Sequence, residues 1–222
     1  MIQSILHKEW RKAWRPALVL VAGNAAAAGQ VWLSTRQLFR REHAEVVWYQ
    51  TMQLGLPFFH LLKYLPLATG AALAMAQFLP EMRQERLRLS LHLPVNTTAL
   101  ILVHLLAGLV GLAACLAVQA VGLWASVHAW FPREMTAHAF AIWGPWALAG
   151  VAGYLGMALA LLEPSFLRRL GNLTIAAGAA WLFLLPTPAG QAGSLSPAVL
   201  LPLLALAVLH AAGRYRNRRA DA

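Results

Sequence analysis

Few side chains in this chain are equipped for chemistry, and their spacing limits what they can do. His60, Lys63 and Tyr64 stand within five residues of one another, between Pro57 and Pro66. Lys63 is the only charged residue within an apolar block, where a charge costs roughly 2.5–3.5 kcal/mol on insertion scales. A cationic and aromatic cluster at such a place suits a pathway or gate, or a lysine reaching back to the membrane surface. His60, His104, His128 and His210 lie in or near apolar blocks, but none forms an i, i+4 ligand pair. Cys115 is the single cysteine, which excludes an internal disulfide and a cysteine-based metal cluster. No apolar block holds paired carboxylates or a nucleophile beside a base. The sequence therefore predicts no catalytic residue, no metal site and no cofactor of its own. The other constellation runs from Pro80 to Val95, PEMRQERLRLSLHLPV. It is basic and amphipathic, with Arg83 and Arg86 on one side of a helix and Met82, Leu87 and Leu91 near another. Apolar anchors at i, i+4 framed by arginines suit docking into a groove of a partner.

The elements that must position these groups are membrane-buried. Of the 222 residues, 59% are hydrophobic and only 12% charged. A soluble domain carries about 25% charged residues. The apolar residues come in blocks of about 20, enough to cross ~30 Å of hydrocarbon. Six spans are predicted: Pro16 to Ser34, Leu56 to Leu79, Thr98 to Val127, Ala139 to Leu162, Leu173 to Pro186, and Pro197 to Ala212. The expected fold is an all-α integral membrane protein, one transmembrane domain over residues 1–222. No cleavable leader is expected, because no small-residue cleavage site follows a short apolar core. The net charge of +10 is read as topology signal and headgroup contact rather than nucleic-acid binding.

Orientation follows from the basic residues. With both termini cytoplasmic, thirteen Lys and Arg fall inside and four, Arg36, Arg40, Arg41 and Arg133, fall outside. Residues 1–15 read as a separate interfacial amphipathic helix, with Trp10 and Trp14 on one face and Lys8, Arg11, Lys12 and Arg15 on the other. Pro16 is expected to break or kink it where it turns into the bilayer. Outside, Arg36 to Gln53 is amphipathic and can form a short surface helix. Asn24, Gln30, Gln77 and Gln119 are read as hydrogen-bonding between helices, and Gly108, Gly111, Gly150, Gly153 and Gly156 as points of close helix approach.

The layout resembles the ABC-2 type permeases, the membrane subunits of one class of ABC exporters. The resemblance rests on Lys8-Glu9 in the N-terminal helix, Glu81 near the end of the second span, the run Leu87, Leu89, Leu91, Leu93, and the closing Leu93-Pro94-Val95. The chain departs from that pattern in having Glu85-Arg86 where the family has Gly-Thr, and a short Pro/Gly-rich connection at 187–196. The resemblance implies a dimer, homo- or heteromeric, in a bacterial inner membrane. It implies a cytoplasmic ATPase docked on residues 80–96, with Glu81, Glu85, Arg86, Leu87 and Leu91 as coupling residues. It also implies Lys8, Glu9, Trp10 and Trp14 as the interfacial helix, and export or force transmission driven by ATP. No GxxxxGK[ST] occurs in the chain, so ATP would be bound by the partner. A membrane scaffold or assembly subunit that does not use residues 81–95 to bind an ATPase is the alternative.

Overall fold

The computed structural model describes residues 2–52, 57–83, 97–185 and 196–217, with side chains over 14–51, 57–82, 98–185 and 197–216. Seven α-helices account for almost all of them: α1 (Ile2–Arg41), α2 (Ala44–Met52), α3 (Leu65–Arg83), α4 (Thr97–Trp130), α5 (Glu134–Leu162), α6 (Phe166–Leu184) and α7 (Leu200–Asn217). Short 3₁₀ turns occupy His60–Leu62 and Ser196–Val199, and no strand occurs among the described residues. In hydrocarbon a backbone must satisfy its own hydrogen bonds, and a helix does so within one segment.

Four helices are long and apolar enough to cross a membrane: Trp14–Arg41, Thr98–Trp130, Glu134–Leu162 and Pro197–Arg216. The chain is thus an all-helical membrane protein. The second and fifth expected spans appear as α3 and α6, each 19 residues long, about 28 Å at 1.5 Å per residue. By composition they fall short of the other four. Gln77, Pro80 and Glu81 dilute α3, and Arg168, Arg169 and Asn172 dilute α6.

Two boundaries differ from expectation. Pro16 does not end a surface helix, because α1 continues through it as one element of 40 residues. Proline removes one backbone donor, and neighbouring turns of a membrane helix tolerate the loss. Residues 2–15 thus run on into the first candidate span as one helix. The second change is at Pro66, which is the second residue of α3. At that place its missing N–H would have had no helical acceptor, so it starts a helix rather than kinking one. Lys63 consequently lies before α3, outside any helix.

Residue pairing fixes how the helices run. Ala28 of α1 meets Gly122 of α4, and Asn24 meets Gln119, so these two are parallel. Pro66 and Leu67 of α3 meet Gly150 and Gly153 of α5, and Gln77 meets Tyr154, so this pair is parallel as well. Glu163 after α5 reaches Arg214 of α7, and Gly156 of α5 meets Ala176 of α6. The end bearing the α5–α6 turn is called lower here, and the end bearing α2 and the α4–α5 turn upper.

α5 is the central helix. Of its most apolar stretch 72% is buried, against 33% or less in the other three candidate spans. It owes this to glycine. A Cβ on Gly70 would strike the Gly150 carbonyl, one on Gly150 would lie 2.8 Å from the Pro66 carbonyl oxygen, and one on Gly153 2.6 Å from Leu67 Cδ1. The stripe expected to allow close approach does so, with α3 on one side and Ala176 of α6 on the other. Outward-facing positions carry Leu18, Val19, Leu106, Val110, Val121, Ile175 and Leu206, all exposed. So many exposed large apolar side chains are foreign to a water-facing surface and suit lipid contact. α2 closes part of the upper end, burying Val47 and Thr51 and leaving Trp48 and Tyr49 outside.

Candidate functional site

Polar groups occupy four levels of the bundle. At the upper end, the 3₁₀ turn His60–Leu62 is pinned by buried Phe59 and Leu62, while His60 and Tyr64 are exposed. Lys63 Nζ sits 5.4 Å from the Tyr64 ring centroid, within cation–π range. His60, Lys63 and Tyr64 are therefore brought together, but at the bundle's end and not inside a span. No charge is stranded in hydrocarbon there. Below them Phe58 stacks on Phe131 at 4.6 Å, and Phe59 lies 5.5 Å from Trp146, sealing the upper end with rings.

The next level is a hydrogen-bond chain through four helices. Asn24 Nδ2 of α1 donates to the Leu20 carbonyl at 2.7 Å and to Thr69 Oγ1 of α3 at 3.2 Å. Asn24 Oδ1 accepts from Gln119 Nε2 of α4. Gln119 Oε1 accepts from Trp143 Nε1 of α5 at 3.3 Å. Asn24, Thr69 and Gln119 are all buried. Both amide donors of Asn24 are used, as a buried polar group in low dielectric requires. Asn24 and Gln119 thus do what their sequence positions suggested. Thr69 and Trp143 were not singled out, since threonine in a helix commonly bonds its own preceding turn.

Lower down, Gln77 Nε2 of α3 donates to the His104 carbonyl of α4 at 2.7 Å. Tyr154 Oη of α5 lies 2.9 Å from Gln77 Oε1 and 3.3 Å from the Leu105 carbonyl. Both carbonyls belong to α4. The opening for this contact is Gly108, where any Cβ would collide with Tyr154 Oη and Gln77 Oε1. Tyr154 is 0% exposed and is the residue that sequence reading most plainly missed. A lone tyrosine within an Ala/Leu/Gly run reads as core until its hydroxyl finds an acceptor. His104 Nδ1 lies 2.9 Å from the Leu100 carbonyl.

At the lower end Glu163, directly after α5, is fully buried and paired with Arg214 of α7. Arg169 of α6 donates to the Glu163 carbonyl at 3.0 Å, and Ser165 Oγ lies 3.5 Å from Glu163 Oε1. Glu163 thereby ties the lower ends of three helices, α7 through its carboxylate and α6 through its backbone carbonyl. Arg168 and Arg169 belong to the first turn of α6, and Arg169 bonds the carbonyl of Glu163, the residue that ends α5. Glu81, in the last turn of α3, is buried where the linker begins. Glu85, Arg86, Leu87 and Leu91 lie outside the described residues. Lys8, Glu9 and Trp10 stand on the first turns of α1, with side chains outside the described set. Trp14 is exposed, with the Arg15 guanidinium 5.6 Å from its ring centroid.

Among the described residues no three His, Cys, Asp or Glu side chains gather as metal ligands. Cys115 is buried against other helices. No family model, curated protein or solved structure matches this chain. The site is therefore argued from its own geometry. Two uncharged hydrogen-bonding levels lie inside an apolar bundle, with charged groups gathered at both ends.

Proposed function

We propose that this chain is the membrane-spanning subunit of an ABC transporter of the ABC-2 type, driven by a separate cytoplasmic ATPase and working beside a second permease subunit. It crosses a bacterial inner membrane six times, with α3 and α6 completing the set begun by the four longer helices. Both termini and the lower end face the cytoplasm. In support, the lower end carries Arg83, Arg168, Arg169, Arg214 and Arg216, and cytoplasmic ends of membrane proteins accumulate Lys and Arg. α3 and α6 run beside accepted spans and come within a few ångströms of the ~30 Å a bilayer core needs.

The observation that carries the reading is the linker from α3 to α4. It leaves the lower end beside buried Glu81 and contains Arg86, Leu87 and Leu91 in a basic, helix-forming sequence. In such subunits ATP binding closes the ATPase pair, and the linker transmits that movement to the spans, which export a substrate or pass force across the membrane. The test is co-purification. The tagged chain, taken from its native membrane in mild detergent, is expected to bring a Walker-motif ATPase with it. Leu87→Asp with Leu91→Asp should abolish that association while leaving the bundle intact. A preparation free of ATPase, under conditions that hold a known ABC complex together, would sink the permease reading and leave a membrane scaffold or assembly subunit.

A further inference from the structure

The helices divide into two groups by how they touch. α1 and α4 pack extensively on each other, through Ala28 against the bare backbone of Gly122 and through the Trp32–Trp130 ring pair at 4.2 Å. α3 and α5 likewise pack extensively through Gly70, Gly150 and Gly153, and α6 and α7 ride on α5. Each helix pair that spans the two groups touches less than any of these pairs. Hydrogen bonds cross between the groups: Asn24 to Thr69, Gln119 to Trp143, Gln77 to the His104 carbonyl, and Tyr154 to the Leu105 carbonyl. Apolar contact across the seam is of ordinary closeness where Leu73 Cδ2 would lie 3.4 Å from a Cβ on Gly111, and tight only at Gly108, where a Cβ would meet the Tyr154 ring end.

These two kinds of contact respond differently to motion. Interdigitated apolar surfaces forfeit a quarter to a half of their attraction for a gap of ~0.5–1 Å, so each group moves as one body. A hydrogen bond between uncharged amides is a weak tie in a membrane, about 0.6 kcal/mol on average, because the groups can take other partners. Water is such a partner, and it is admitted only where polar groups line the gap. Sliding of packed helix groups along a weak interface is a known mode of conformational change.

We propose that the seam between the α1–α4 pair and the α3–α5–α6–α7 group is the moving surface of this protein, held shut by the two hydrogen-bonded levels and open to water when they release. The proposal does not depend on the ATPase reading, since it concerns only how this chain comes apart along its own polar seam.

The test reads water access at single cysteines in the full-length chain, in liposomes, on a Cys115→Ala background. A small water-soluble methanethiosulfonate reacts with the thiolate, which forms only where water reaches. Gln119→Cys and Thr69→Cys report the seam. Ala28→Cys and Ala176→Cys report contacts inside the groups. Ala28 lies one helical turn nearer the upper end than Asn24, the partner of Gln119, so faster reaction at 119 cannot come from depth on that side. The seam cysteines are expected to react at least fivefold faster than both interior ones. A smaller ratio, including no reaction at any position, overturns the proposal. Should Thr69→Cys not be recovered monodisperse, Trp143→Cys on the same seam is read in its place.

Discussion

Gly70→Ala is the sharpest test of the bundle, because the methyl group it adds has one place to go. A Cβ there meets the carbonyl oxygen of Gly150, with the Gly150 carbonyl carbon at 3.0 Å and the Tyr154 amide nitrogen at 3.1 Å. All three are backbone atoms, so no side chain can swing aside. The helices must part by about 1 Å, and with them go the contacts of Gly150 with Pro66 and of Gly153 with Leu67. Overpacking of this kind costs about 1–3 kcal/mol. Against it stands the helix propensity of alanine over glycine, worth about 1 kcal/mol in water. The clash outweighs the propensity gain, and a net loss of about 1–2 kcal/mol is expected. Gly178→Ala is the matched control, since a Cβ there meets nothing within 4 Å. It should be neutral or slightly stabilising. Both proteins would be unfolded in the same detergent by SDS titration, followed by tryptophan fluorescence. If Gly70→Ala were as stable as the Gly178→Ala control, the close parallel packing of α3 on α5 would be wrong.

Other changes probe the polar levels and the orientation. Asn24→Ala and Gln119→Ala, combined in a double-mutant cycle, should show a coupling of about 0.6 and at most ~1.7 kcal/mol; zero coupling would remove their hydrogen bond. Tyr154→Phe deletes only the hydroxyl between Gln77 and Leu105, and should lower unfolding stability by about 1 kcal/mol. Arg214→Gln leaves the buried Glu163 carboxylate without its cation. Breaking a buried pair from one side costs about 3–5 kcal/mol, but the Arg214 side chain is 32% exposed and water can partly replace it, so about 1–2 kcal/mol is expected in the same titration. The chain has three lysines, Lys8, Lys12 and Lys63. With the proposed orientation, a membrane-impermeant amine reagent applied outside should modify Lys63 alone, and labelling of Lys8 from that side would refute it.

Legibility in the sequence followed from how local each constraint is. Membrane burial and helical class were plain, because hydrocarbon acts on composition and block length without regard to neighbours. Gly150, Gly153 and Gly156 could be recognised as contact points since a missing Cβ has the same meaning wherever two helices meet. Asn24, Gln77 and Gln119 announced bonds between helices because an amide buried in an apolar block has few alternatives, whereas Gln30, read the same way, lies exposed on α1. The other half of each bond was hidden. Nothing in the chain near Tyr154 says that Gly108, 46 positions away, leaves room for its hydroxyl. Nothing in the chain near Glu163 points to Arg214, 51 positions on, as its partner. Pro16 shows the limit of local rules, which interrupt a helix at a proline, and of the two places open to Lys63 the structure takes the one at the bundle's end.

By itself, then, the sequence determined the solvent this protein lives in, the helical form that solvent demands, and the small and amide residues through which helices would meet. Tertiary structure alone decided which helices those are, and that they form two tightly packed groups divided by a polar seam. It also placed Lys63 at an end and carried α1 unbroken through Pro16. The reason is physical. Transfer into hydrocarbon is set residue by residue, whereas packing and hydrogen bonds across 45 to 95 positions of chain exist only once the helices are side by side.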